Sequence, residues 1–129
     1  MAEPNTQAAG RRRRVLVIED NVLAAETLRE ALQLANCDVE IVHTGSDAIA
    51  WAPTFVPDVV LCDIGLPDMD GYEVARRLRA DERLRSAVLV ALTGHARPED
   101  EQRARDAGFD RHVAKPLSLK KLEQLMVTL

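Results

Sequence analysis

A chain of 129 residues, 47% hydrophobic and 29% charged, has the balance of an ordinary globular protein, with length for one domain and its core but not for two. Aromatic residues make up only 3%, so the core has to be aliphatic, and a formal net charge of −4 argues against a general nucleic-acid binder. No apolar run approaches the length of a membrane span and the N-terminus has no apolar signal region, so the cytoplasm is the expected compartment.

Met1 to Gly10 is small and polar without periodicity, and residues 1–12 are expected to form a disordered tail ahead of a domain over 13–129. Arg11 to Arg14 is a basic run, read as a solvated flank of the first strand. Val15 to Ile18 is a short β-branched run that ends on Glu19 and Asp20. Asn21 can cap a helix over Val22 to Ala35, in which Leu28, Ala31, Leu32 and Ala35 follow helical spacing, and Asn36 stands at its end. Val39 to Val42 reads as a strand. Thr44 then caps a short helix that Pro53 is expected to stop at Ala52.

Val59-Val60-Leu61-Cys62 is bounded by turn residues and ends on Asp63, as suits a strand buried on both faces. Asp70, three residues before Glu73, opens a helix to about Ala80 with Tyr72, Val74 and Leu78 facing inward. Val88 to Leu92 is a further strand, ending on Thr93. Pro98 begins a helix with Glu99, Asp100 and Glu101 at its positive end and Gly108 as its stop. Its apolar stripe is only Ala104 and Ala107, so it should pack lightly. His112 to Ala114 is a last short strand, ending on Lys115-Pro116. Ser118 caps a final helix expected to bury Leu119, Leu122, Leu125 and Met126. Cys37 and Cys62 have no metal-binding spacing and read as reduced thiols, Cys62 within the core.

Strand and helix alternate five times, which implies an α/β protein with a parallel sheet and helices on both faces. In such a sheet the strands' C-terminal ends share one edge, where ligands bind. That edge would collect Glu19, Asp20, Asp63, Thr93 and Lys115. Three carboxylates together repel one another, and a divalent cation removes that penalty. Oxygen ligands without Cys or His point to a hard ion, Mg²⁺ before Ca²⁺. A nucleophilic carboxylate, a metal, a lysine and a hydroxyl are the parts of phosphoryl transfer.

These motifs resemble the receiver domain of bacterial two-component response regulators. Val-Leu-Val-Ile-Glu-Asp-Asn is similar to the family's opening strand and acidic pair. Asp63 with Gly65-Leu66-Pro67 and Met69-Asp70-Gly71 is similar to the phosphoacceptor strand and loop. Ala91-Leu92-Thr93-Gly94 and Lys115-Pro116 match the hydroxyl and lysine motifs, so the resemblance runs from about Arg13 to Leu129. It implies a flavodoxin-like five-stranded parallel sheet of order 2-1-3-4-5. It implies that Asp63 accepts a phosphoryl group from a phosphohistidine of a histidine kinase or phosphotransfer protein. Asp20, Asp63 and the backbone carbonyl of Gly65 would hold Mg²⁺, with Glu19 acting mostly through water. Thr93 and Lys115 would bind the phosphoryl oxygens, and the response would be read on the fourth helix, fifth strand and last helix. The family usually has an aspartate where Glu19 stands, a mild change. It usually has Tyr or Phe where His112 stands, so the switch pairing of Thr93 with residue 112 is not carried over unaltered. The Thr-Gly-His and Phe-Asp-Arg-His-Val-Ala-Lys-Pro wording is most similar to receivers of hybrid sensor kinases, which implies either a stand-alone receiver or a piece of a longer protein.

Asp68-Met69-Asp70-Gly71 is no calcium loop, because Leu66 and Arg77 would fall at ligand positions. There is no Gly-rich loop with Gly-Lys-Ser/Thr, and His43, His95 and His112 lie on three segments without a paired nucleophile motif. The rival readings are a phosphorylation-independent binding module on the same fold and a phosphatase acting on other substrates. The second lacks an acid two residues after Asp63, where Gly65 stands.

Overall fold

The computed structural model describes residues 12–94 and 97–129; His95 and the expected tail up to Arg11 lie outside the described residues. The elements are β1 (Arg14–Ile18), α1 (Val22–Leu34), β2 (Asp38–Val42), α2 (Gly45–Phe55), β3 (Val59–Asp63), α3 (Gly71–Arg79), a 3₁₀ turn (Glu82–Leu84), β4 (Val88–Thr93), α4 (Pro98–Ala107), β5 (Arg111–Ala114) and α5 (Leu119–Thr128). The five strands are parallel, in the order β2-β1-β3-β4-β5. The expected fold class, with helices on both faces, is the observed one.

Side chains alternate across the sheet and build two cores. Leu16, Ile18, Val60, Cys62, Leu89 and Ala91 meet α2, α3 and α4. Val15, Val17, Val59, Leu61, Val90 and Leu92 meet α1 and α5. β3 is buried along its whole length, as its apolar run requires. Register sets the height of each strand end. Ile18 pairs with Cys62, Asp63 with Leu92, and Thr93 with Ala114. Glu19 therefore stands level with Asp63, Thr93 one step beyond it, and Lys115 follows at the end of β5.

Four expectations change. α2 does not stop at Pro53 but runs on to Phe55, with Val56 at φ 51 donating its N–H to the Ala52 carbonyl. The proline removes one hydrogen bond, but Phe55 is buried, and the Arg14 guanidinium lies 4.4 Å from its ring centroid while donating to its carbonyl. Tertiary contacts hold the turn that the proline weakens. Leu119 is 53% exposed, and Leu117, ahead of the Ser118 cap, packs against the core in its place. Arg13 and Arg14 are not solvated: Arg13 donates to the Met126 and Leu129 carbonyls and caps the negative end of α5. Arg12, read as the last residue of the tail, donates to Asn36 and Asp38.

Among the helices α4 is held by the least apolar surface. It buries Ala104 and Ala107, about 1–2 kcal/mol at the usual value per methyl, whereas α5 buries Leu122, Leu125 and Met126, roughly 5–9 kcal/mol. Gly108 closes α4 at φ 112, where a Cβ would come within 2.7 Å of the Arg79 side chain. Among the described residues no helix is long and apolar enough to cross a membrane.

Candidate functional site

The structure brings Glu19, Asp20, Asp63, Thr93 and Lys115 to the same sheet edge. Glu19, Asp63 and Thr93 are buried while Asp20 is exposed. Each acid of the cluster Glu19, Asp20 and Asp63 offers an oxygen within 4.8 Å of the others. The Lys115 ammonium reaches into this cluster from the end of β5, 3.2 Å from Glu19 Oε1 and 3.3 Å from Asp63 Oδ2. Its backbone N–H donates to the Thr93 carbonyl at 2.7 Å, which ties the two strand ends together. The peptide between Lys115 and Pro116 is cis.

The charges are unevenly compensated. Burial raises the Glu19 pKa, and the Asp63 charge adds to the rise, against the opposing pull of the Asn21 N–H and Lys115. For Lys115, burial works against the charge, but Asp63 and Glu19 outweigh it and the net shift is upward. The site thus holds its lysine charged and still carries a surplus of negative charge. Cys62 is enclosed in the core, its thiol donating to the Asp63 carbonyl, and burial, then the neighbouring acids, push its thiol pKa upward, away from thiolate chemistry.

The loop after β3 is built around Asp63. The Gly65 N–H donates to Asp63 Oδ1 at 3.0 Å, and the Gly71 N–H closes the loop on the Ile64 carbonyl at 2.8 Å. A Cβ on Gly71 would stand 2.8 Å from both the Asp63 carbonyl oxygen and the Ile64 Cα, backbone atoms that cannot yield. Gly71→Ala is therefore expected to cost at least about 2 kcal/mol in urea unfolding. It should also displace the Asp63 loop, read as shifted backbone amide resonances over residues 63–71 of the folded fraction.

Several supports of the site were not legible in the sequence. The Asn21 N–H donates to Glu19 Oε2, and His43 Nδ1 lies 2.8 Å from the Glu19 carbonyl oxygen. Asp68 accepts from the Gly45 and Ser46 amides and the Ser46 hydroxyl, fastening the loop to the N-terminus of α2. These bonds, that of the hydroxyl foremost, hold the Asp68 carboxyl down at about 2. Asp70, by contrast, caps α3 as expected, accepting the Glu73 N–H at 2.9 Å. Beside Lys115 an apolar groove of about 350 Å³ opens between Leu23, Thr27 and Leu28 of α1 and Pro116-Leu117.

The sequence matches the response regulator receiver domain over residues 15–127. The chain belongs to that family. It is 33% identical over 105 residues to the polar-differentiation response regulator DivK of Brucella ovis, covering 81% of this chain and 85% of that protein. It is 32% identical over 119 residues to hybrid signal transduction histidine kinase L of Dictyostelium discoideum, covering 88% of this chain and 7% of that far longer protein. The receiver domain of sensor histidine kinase PA1611 from Pseudomonas aeruginosa PAO1, solved with magnesium in its active-site cleft, superposes with a TM-score of 0.83. That pair is 29% identical, over 91% of this chain and 96% of the other. The receiver is thus a phosphoacceptor switch of two-component signalling and not a conventional enzyme, and its acidic pocket has the make-up of a metal site.

Proposed function

We propose that this receiver takes a phosphoryl group onto Asp63 from a phosphohistidine of a histidine kinase or histidine phosphotransfer protein in the cytoplasm. The observation that carries the reading is Lys115 held between Glu19 and Asp63 at the strand ends. An Asp63 oxygen attacks phosphorus, the P–N bond breaks, and its electron pair stays on the imidazole nitrogen. Lys115 and the Thr93 hydroxyl then bind phosphoryl oxygens. The receiver catalyses only its own phosphorylation and dephosphorylation.

Asp20, Asp63 and the backbone carbonyl of Gly65 would hold Mg²⁺, with Glu19 acting through water. An all-oxygen cluster with surplus negative charge suits that hard cation. Bound there, Mg²⁺ supplies charge neutralisation for the acids and the incoming phosphoryl oxygens. Acetyl phosphate with Mg²⁺ is expected to add one phosphoryl group, read by intact mass, and a chelator to prevent it. Labelling indifferent to the chelator would remove the metal from the reading.

The response is read on α4, β5 and α5, with Thr93 and His112 as the switch pair. His112 pairs with Ala91 in the sheet and lines a cavity of about 170 Å³ with Glu101, Ala104 and Arg105 of α4. Among the described residues its buried Nε2 has no hydrogen-bond partner, a condition that favours rearrangement of this seam. An aromatic ring would fill the seam with more apolar surface. His112→Tyr is therefore expected to leave Asp63 labelling intact and to enlarge the change in amide exchange that beryllofluoride causes over residues 98–114. An unaltered response would leave His112 as a strand residue only.

A further inference from the structure

We infer that Arg103 is a positioning residue that registers α4 on the loop following Asp63, so that movement of that loop is passed to the helix. The inference rests on the reading that α4 responds to phosphorylation. α4 has little apolar surface to fix it, since it buries Ala104 and Ala107. Its side chains Arg97, Gln102 and Arg105 bond within the helix or its cap. Arg103 instead reaches across to α3. Its Nη2 lies 3.6 Å from Asp70 Oδ2, and its guanidinium carbon sits 4.2 Å from the centroid of the Tyr72 ring.

Both contacts lie where the Asp63 loop runs into α3. Asp70 is the loop's last residue, and the other carboxylate oxygen caps α3 through the Glu73 N–H. The Gly71 amide, between Asp70 and Tyr72, is bonded to Ile64, the residue after Asp63. Tyr72 is buried, with Arg103 on its face and Phe109, just past α4, edge-on at 6.5 Å. The ring is therefore gripped from both ends of α4's C-terminal half. A planar guanidinium can stack on the ring while facing a carboxylate, which an ammonium cannot do equally well. An exposed ion pair contributes little by itself, but charge and stacking together fix one geometry between α4 and the start of α3.

The test is amide exchange of the full chain, with and without beryllofluoride, for wild type, Arg103→Gln, Arg103→Lys, Asp70→Asn and the Arg103→Gln/Asp70→Asn pair. Asparagine keeps the capping oxygen and removes the charge. Without beryllofluoride, Arg103→Gln should speed exchange of the α4 amides by about tenfold, with α1 unaltered. Arg103→Lys should recover part of this, and Asp70→Asn should add nothing in the Arg103→Gln background. With beryllofluoride, Arg103→Gln should still protect residues 63–71, but α4 should no longer respond. A merely structural role for Arg103 would loosen α4 yet leave its response in place. Wild-type exchange in α4 of Arg103→Gln, an undiminished response to beryllofluoride, or independent effects of the two substitutions would each overturn the inference. A wild type whose 63–71 loop ignores beryllofluoride would instead count against the phosphoacceptor reading, and the comparison without the ligand would still decide the role of Arg103.

Discussion

Asp63→Asn is expected to take no phosphoryl group from acetyl phosphate or from a phosphohistidine donor, a loss of signal rather than a slowing. The amide has the carboxylate's shape, so its oxygen still accepts the Gly65 N–H and β3 keeps its burial. What is lost is the anionic nucleophile, and no neighbour is arranged to replace it. Glu19 is level with Asp63, but one of its oxygens accepts from Asn21 and the other faces Lys115. Asp20 is exposed at the rim of the site, without the lysine contact that Asp63 has. Intact mass after incubation with each donor checks the expectation, and phosphoryl groups on Glu19 or Asp20 in the variant would refute the assignment to Asp63.

The fold and the main site residues were legible because local signals and topology agreed. Short apolar runs ending on Glu19, Asp63, Thr93 and Lys115 became parallel strands, and parallel strands put those ends on one edge. Caps at Asn21, Thr44, Asp70 and Ser118 stand where the side-chain pattern placed them. What could not be read depends on partners far away in the chain. Pro53 stops a helix by local rules, yet Phe55 is secured by Arg14 from β1. Arg13 reads as a surface charge until α5 brings its last carbonyls to it. Asp68 reads as loop acid until the first turn of α2 presents its amides. Arg103 likewise has no signal in its own helix, because Tyr72 and Asp70 lie in α3 and its cap. Glycine at position 71 is required by backbone atoms of Asp63 and Ile64, a contact that exists only once the loop has closed.

Asp20→Ala is expected to move stability in opposite directions with and without Mg²⁺. Removing one carboxylate from the cluster of Glu19, Asp20 and Asp63 relieves repulsion that Lys115 alone does not cancel, and should stabilise the metal-free protein by about 1 kcal/mol. The same change removes a proposed ligand, so saturating Mg²⁺ should raise the melting temperature of wild type but hardly that of the variant. The pH dependence gives a second reading of the same charge surplus. Glu19 has a folded pKa raised above the ordinary 4.5 by burial and by Asp63, so between 4.5 and the raised value the native state binds more protons than the unfolded chain. Metal-free wild type should therefore gain stability from Glu19 as pH falls through that window and lose it as pH rises. Glu19→Gln should flatten this slope, because a neutral amide has no charge to desolvate. Urea unfolding with a chelator present, run from pH 7 down to pH 4.5, checks both variants. A metal-free Asp20→Ala protein less stable than wild type would mean that the acids are compensated by the fold itself and have no surplus charge for a cation to relieve.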